Sequence, residues 1–281
     1  MSDETENGLR PVGSFLEENR VFVEGLRDPD EDVRRRTLAE IEELDDELAE
    51  ELLRIVGAPG DEELRADVAI SLGPTLELCD DELDDEGRLL PGGEWWNSAP
   101  LSPDGYGRVT TGLRRVYLDA QVPRLVRRRA LEASVRSPQE WHEGAIRAAW
   151  ASADGDWRQT AVFCMGFHYR VDFEKEIEEG LRDDATAVRR EAIRAAGRRG
   201  LVDMGSEILA VAVDEGSDPE LRYAAVEALP YLEVPGAREV LTALLRSADD
   251  TLQESAEAAL EELLLVERLE ADLDQDPDEL Y

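Results

Sequence analysis

Between Asp183 and Gly200 the polar and apolar positions follow one simple plan. Val188, Ala192, Ala195 and Ala196 recur at helical spacing and form a narrow stripe of small residues. Asp183 and Asp184 precede the stripe, and Arg189 follows its first apolar position. Such a helix cannot bury its stripe alone; small residues suit it to the close approach of a neighbour of the same kind. The chain supplies those neighbours. An apolar residue, Arg, two free positions and a small or branched residue recur at Val33-Arg34-Thr37, Leu64-Arg65-Val68 and Val126-Arg127-Ala130. They recur again at Trp157-Arg158-Ala161, Val188-Arg189-Ala192 and Leu221-Arg222-Ala225, and at Leu252-Gln253-Ala256, where the Arg is lost. The first positions are separated by 31, 62, 31, 31, 33 and 31 residues, a period near 31 with one gap doubled.

A second apolar-periodic segment precedes each copy, as in 173–181 and 207–213, so the predicted unit is a helical hairpin. About seven such units give an all-α class, an α-solenoid with one long insertion loop. The pattern resembles HEAT repeats, in particular the short phycobilisome-lyase HEAT-like form, over roughly residues 15–265. The resemblance implies a ladder in which the acidic residue before the second helix pairs with the Arg within it, between neighbouring repeats. Asp28, Asp154, Asp183 and Asp218 with Arg34, Arg158, Arg189 and Arg222 would fill those roles. It implies little about function, because the fold carries scaffolds, adaptors, some lyases and some nucleic-acid enzymes.

Boundaries follow from turn and capping residues. Residues 1–13 read as a disordered acidic lead, 14–265 as the solenoid, and 266–281 as an acidic tail too poor in apolar residues to pack. Ser14 with Glu17, and Ser137 with Glu140, read as capping boxes. Asp28-Pro29 reads as an N-cap with Pro in the first turn. Gly57, Pro59 and Gly60 mark the second hairpin turn. The doubled gap, 79–108, is acidic, then rich in Gly and Pro, and reads as an insertion rather than a degenerate repeat. Its adjacent Trp95 and Trp96 argue that it folds back on the solenoid.

Composition changes the picture in one respect. The 281 residues carry a formal charge of −36, with 67 acidic against 31 basic residues, and Lys175 is the single lysine. Acidity with Arg in place of Lys fits a halophilic organism, where molar salt shortens the Debye length to about 3 Å; an acidic protein of a GC-rich genome is the alternative. No apolar run approaches a membrane span of about 18 residues, and the N-terminus has no signal-peptide core. Cys79 and Cys164 lie in different repeats, which leaves a reducing, cytoplasmic location as the expectation.

Candidate chemistry is sparse. His142 and His168 have no partner at metal-ligand spacing, and no phosphate loop, nucleophile elbow or zinc motif is present. The expectation is therefore a protein without catalytic residues, metal or cofactor. The charge distribution is more informative. Residues 108–199 hold 17 Arg and Lys175 against 14 acidic residues, a net of +4, so the remainder carries −40. If second helices line one face, Arg128, Arg129, Arg190 and Arg194 gather there beside Trp141 and Trp150 of the aromatic fourth repeat. The alternative is that these Args are ladder and solvated face and the aromatics, Trp157 among them, are core. Two functions follow. One is a protein-binding scaffold, with Trp95 and Trp96 as anchor and an acidic segment, including this chain's own tail, as a possible partner. The other is a nucleic-acid-binding protein that stacks bases on the central aromatics.

Overall fold

Helix N-caps set the architecture. In the computed structural model, which describes residues 20–41, 44–80 and 99–275, an Asp or Ser side chain opens helix after helix. Asp45 accepts the Leu48 N–H at 2.8 Å, and Asp61 takes those of Glu63 and Leu64 at 3.0 and 3.1 Å. Ser102, Asp154 and Asp218 do the same for the helices that follow them. Each satisfies amides that a helix start leaves without partners. The chain divides into two compact units, 1–137 and 138–281. Both are stacks of antiparallel helices, and the described residues include no strand.

The described part of the first unit comprises α1 (20–26), α2 (Glu31–Ala39), α3 (Asp46–Gly57), α4 (Glu62–Ser71), α5 (Gly73–Asp80), α6 (Pro103–Leu118) and α7 (Arg124–Ser134). Helix α3 pairs with α4 and α6 with α7, and α4 then packs directly on α7 and α3 on α6. The doubled sequence interval therefore adds no layer between these hairpins. Its two ends are helical: Cys79 and Asp80 finish α5, and α6 begins at Pro103 with Tyr106 buried, so the helical structure extends into the span predicted as a loop. Residues 81–98, with Trp95 and Trp96, lie outside the described residues, as does the 1–13 lead.

The second unit comprises α8 (Glu140–Trp150), α9 (Gly155–Phe167), α10 (Glu174–Gly180), α11 (Thr186–Arg198), α12 (Gly205–Val213), α13 (Pro219–Ala228), α14 (Ala237–Leu244) and α15 (Asp250–Gln275). Second helices stack in the order α9, α11, α13, α15, and each carries its own first helix. The stripe Val188, Ala192, Ala195 and Ala196 is fully buried in this layer, together with Ala161, Ala224, Ala225 and Ala256. Small residues permit the approach: a Cβ added at Gly197 would meet the Ala228 Cβ at 2.9 Å and its Cα at 3.1 Å. Helix α15 runs ten residues into the predicted tail, to Gln275.

The signature Args lock the corners between first and second helices. Arg65, Arg127 and Arg222 donate to carbonyls in the last turns of their first helices, at Val56 (3.0 Å), Tyr117 (2.8 Å) and Ala212 (3.4 Å). Arg34, Arg158 and Arg189 instead donate to pairs of turn carbonyls, at Asp28 and Pro29, Ser152 and Ala153, and Asp183 and Asp184. Both arrangements supply donors to carbonyls that a helix end and its turn leave open. Arg34 and Arg158 also reach the next repeat, to Asp61 at 2.9 Å and to Asp183 at 2.8 and 3.0 Å.

Three local predictions are corrected by competing side chains. The N-cap of α2 is Asp30, whereas Asp28 accepts the Asp30 N–H. The box at α8 is built by Gln139 and His142, whose Nδ1 accepts the Gln139 N–H at 2.8 Å. Ser137 is withdrawn into the first unit, where its hydroxyl meets the Tyr106 phenol at 2.6 Å and donates to Asp80 at 2.9 Å. Trp157 is half-buried rather than core, because its signature position lies at the start of α9.

Candidate functional site

The outward side of the second-helix layer in the second unit carries a connected set of charged and aromatic side chains. Arg190, Arg194 and Arg198 stand at i, i+4 and i+8 and so share one edge of α11. Arg190 donates to Glu220 of α13 at 3.2 Å, and Arg194 lies 3.6 Å from Glu227, two turns further along the same face of α13. Arg198 turns the other way. It donates to Glu191 at 3.1 Å, and its guanidinium lies over the rings of Phe163 and Phe167 of α9, 5.3 and 4.5 Å from their centroids. Those rings are in turn 4.9 Å apart. A 440 Å³ depression opens among Arg194, Gly197, Arg198, Glu227, Ala228 and Tyr231. Tyr231 is 44% exposed at its end, and burial together with Glu262 pushes its phenol up.

The predicted residues divide between the units. Arg128 and Arg129 belong to α7 in the first unit, and Trp141, Trp150, Arg190 and Arg194 to the second. Arg128 is only 6% exposed and forms part of the packed interior, so it is not a surface contact. Arg129 is engaged by Glu132 of its own helix. The Trp141 indole donates to the Gln139 side chain at 3.0 Å. Trp150 is half-buried, near the Gly180 backbone. Sequence reasoning missed Arg198, Phe163, Phe167 and Tyr231, although the spacing of the two phenylalanines and of the three arginines placed each set on a single helix face.

The basic excess of 108–199 is largely absorbed internally. Arg136 pairs with Glu77, Arg147 with Glu143 and Glu176, and Arg182 with Glu178 and Glu207. Arg199 donates to the carbonyls of Met165, His168 and Val171. The Arg158 guanidinium holds the Asp183 carboxyl below its usual range, and Asp183 holds Arg158 correspondingly up.

The two histidines, 26 positions apart in sequence, meet where the start of α8 lies beside the end of α9, with ring centroids 6.2 Å apart. Both are buried, and His168 has no hydrogen-bond partner on either ring nitrogen. Its edge faces Phe173 at 6.0 Å, and burial pushes its pKa down. Among the described residues no group of three or more His, Cys, Asp or Glu is placed to hold a metal ion. Among them, too, no helix is long and apolar enough to cross a membrane.

Residues 143–229 and 174–261 each match the sequence profile of HEAT repeats. The segment 143–261 is made of HEAT repeats. It covers α9, α11 and α13, which carry the charged lattice described above, together with all but the first residues of α8. No curated protein matches the chain in sequence. Solved structures of similar shape include YibA of Escherichia coli, 18% identical with a TM-score of 0.41 over 88% of this chain and 82% of that one. Human deoxyhypusine hydroxylase in complex with glycerol is 17% identical with a TM-score of 0.38, over 90% of this chain and 99% of that one. A designed armadillo repeat protein in complex with a (KR)4 peptide is 14% identical with a TM-score of 0.36, over 88% and 99%.

Proposed function

We propose that the chain is a non-catalytic protein-binding scaffold whose HEAT segment receives a partner on the second-helix layer. The observation that carries this reading is the lattice of Arg190, Arg194 and Arg198 with Glu220, Glu227 and Glu191, set beside the depression at Tyr231. Its charges balance in number, so it discriminates by the positions of a partner's charges rather than by net attraction. Glu220 and Glu227 are half exposed or more, and exposed pairs of this kind are worth at most about 1 kcal/mol. Carboxylates of an incoming acidic segment can therefore replace them on Arg190 and Arg194. Solenoids offer long surfaces suited to extended segments. The nucleic-acid reading has less support, because its central arginines are engaged with carbonyls and carboxylates inside the fold.

The test is affinity capture from the source extract, with and without nuclease, using the wild-type chain and an Arg190→Glu/Arg194→Glu variant. A discrete protein should be retained after nuclease and lost with the variant. Loss of all captured protein on nuclease treatment would favour the nucleic-acid reading instead.

A further inference from the structure

A second surface lies at the end of the HEAT segment. The last turn of the α13 layer, a 3-10 turn at Leu229–Tyr231, leads through Glu233, Val234, Pro235 and Gly236 into α14. That loop stands off α15 and leaves an open groove of about 760 Å³. Its lining is mixed: the apolar parts of Pro230, Val234, Pro235, Ala237, Leu263 and Val266 share it about equally with the polar groups of Glu233, Arg238, Glu239 and Glu267. Its rim is acidic. Glu233, Glu239 and Glu267 border it with a single cation, Arg238, which is already clamped to Glu267. Among the described residues, Glu233 and Glu239 have no ion-pair partner.

The loop backbone is unusual at the same place. Glu233 adopts φ 47°, the one left-handed non-glycine among the described residues, and Gly236 adopts φ 89°. A glycine at 233 would hold this conformation without the steric cost of about 1 kcal/mol that a side chain incurs. The strain keeps a carboxylate at the mouth of the groove, and strained residues of this kind gather at binding sites. The groove is within the size range of sites that enclose a ligand side chain or two. Of the charged residues that line it, three are acidic and one is basic, which favours a partner with basic groups at this place.

We infer that the groove between the 232–237 loop and α15 docks a short segment of a partner protein in which one or two bulky apolar side chains are flanked by lysine or arginine. The apolar side chain packs on Val234 and Val266, and the flanking cations meet Glu233 and Glu239. This site is separate from the Arg190–Arg194 lattice and prefers the opposite charge, so the two can fail independently.

The test is fluorescence anisotropy of the full chain with a labelled peptide of alternating lysine and leucine, at about 0.1 M salt, where the Debye length is about 10 Å. A peptide with serine in place of leucine serves as the comparison. The leucine peptide should bind and the serine peptide should bind about tenfold more weakly. Glu233→Gly with Glu239→Gln should also weaken the leucine peptide about tenfold, and the first change relieves strain, so the variant folds. Glu254→Gln, an exposed carboxylate at the far end of α15, should leave binding unchanged. Equal binding of the two peptides, or equal weakening by Glu254→Gln, overturns the proposal, because either means attraction to acidic surface in general. Retention of peptide affinity by the Arg190→Glu/Arg194→Glu variant supports a site distinct from the lattice, and its loss contradicts one.

Discussion

Acidification should unlock the second unit at one residue, His168. The ring is 3% exposed, and neither nitrogen makes a hydrogen bond of good geometry. Burial disfavours the charged form and prevails over the backbone groups of His168 and Gln139, which favour it; Arg170 reinforces the effect of burial and Glu143 opposes it. The folded pKa is thus below the unfolded value of about 6.5, and the unfolded chain binds the proton first. Stability is then complete above about pH 7 and falls with pH below about 6.5, by up to about 1.4 kcal/mol per pH unit, until the folded-state pKa is passed. For a unit of this size that slope corresponds to a melting shift of about 5 °C per pH unit. The window is clean: the chain has only two histidines, and ordinary carboxylates titrate well below it. The assay is thermal unfolding followed by circular dichroism between about pH 5.5 and 7.5, with His168→Leu and His142→Gln beside the wild type. Glutamine at 142 keeps an acceptor for the Gln139 N–H and so preserves the α8 cap. The His168→Leu curve should lose about one proton's worth of slope. If it retains the wild-type slope, the assignment to His168 is wrong.

Two further outcomes follow from the packing of the second unit. Gly197→Ala should destabilise by about 1–3 kcal/mol in denaturant unfolding, despite alanine's higher helix propensity, because the added methyl meets the α13 backbone; a gain in stability would show that α11 and α13 can separate freely. Asp183→Asn removes the carboxylate that receives both nitrogens of Arg158, side chains 11% and 22% exposed, and should lower the melting free energy by about 1–2 kcal/mol at neutral pH. The Asp183 pKa is depressed in the fold, so the difference between variant and wild type should be present above about pH 4 and fade as acid protonates the wild-type carboxyl; a difference that persists into strong acid would mean the loss is one of packing.

The repeat was legible because burial imposes its period on the chain: a stripe such as Val188, Ala192, Ala195 and Ala196 has one place to go. Side-chain destinations were less legible wherever two residues compete for the same group. Asp28 and Asp30 are both competent caps, and the turn geometry selects Asp30. Ser137 and Gln139 are both able to open α8, and the buried Tyr106 draws Ser137 away. The charge of a residue does not say which side of a helix it occupies, so Arg128, next to Arg129 in sequence, was read as surface although it is interior. The meeting of His142 with His168 depends on how α8 and α9 pair along their length, which brings the start of one beside the end of the other and which no spacing rule encodes. The HEAT resemblance implied an acid–arginine ladder between repeats; Arg34 and Arg158 make it with Asp61 and Asp183, and the signature arginines also bind carbonyls of their own hairpins, which the resemblance did not imply.

Those carbonyl contacts have an evolutionary consequence. Arg65, Arg127 and Arg222 reach back nine or ten residues, and Arg34, Arg158 and Arg189 five or six, so each corner is closed by groups of its own hairpin. A stretch of DNA encoding one period therefore encodes a module that closes its own turn wherever it is copied. Unequal recombination can lengthen or shorten such a gene in steps of about 31 codons, and each product needs only compatible flanks. The partner surfaces then change their reach by whole modules while every corner keeps its own fastening.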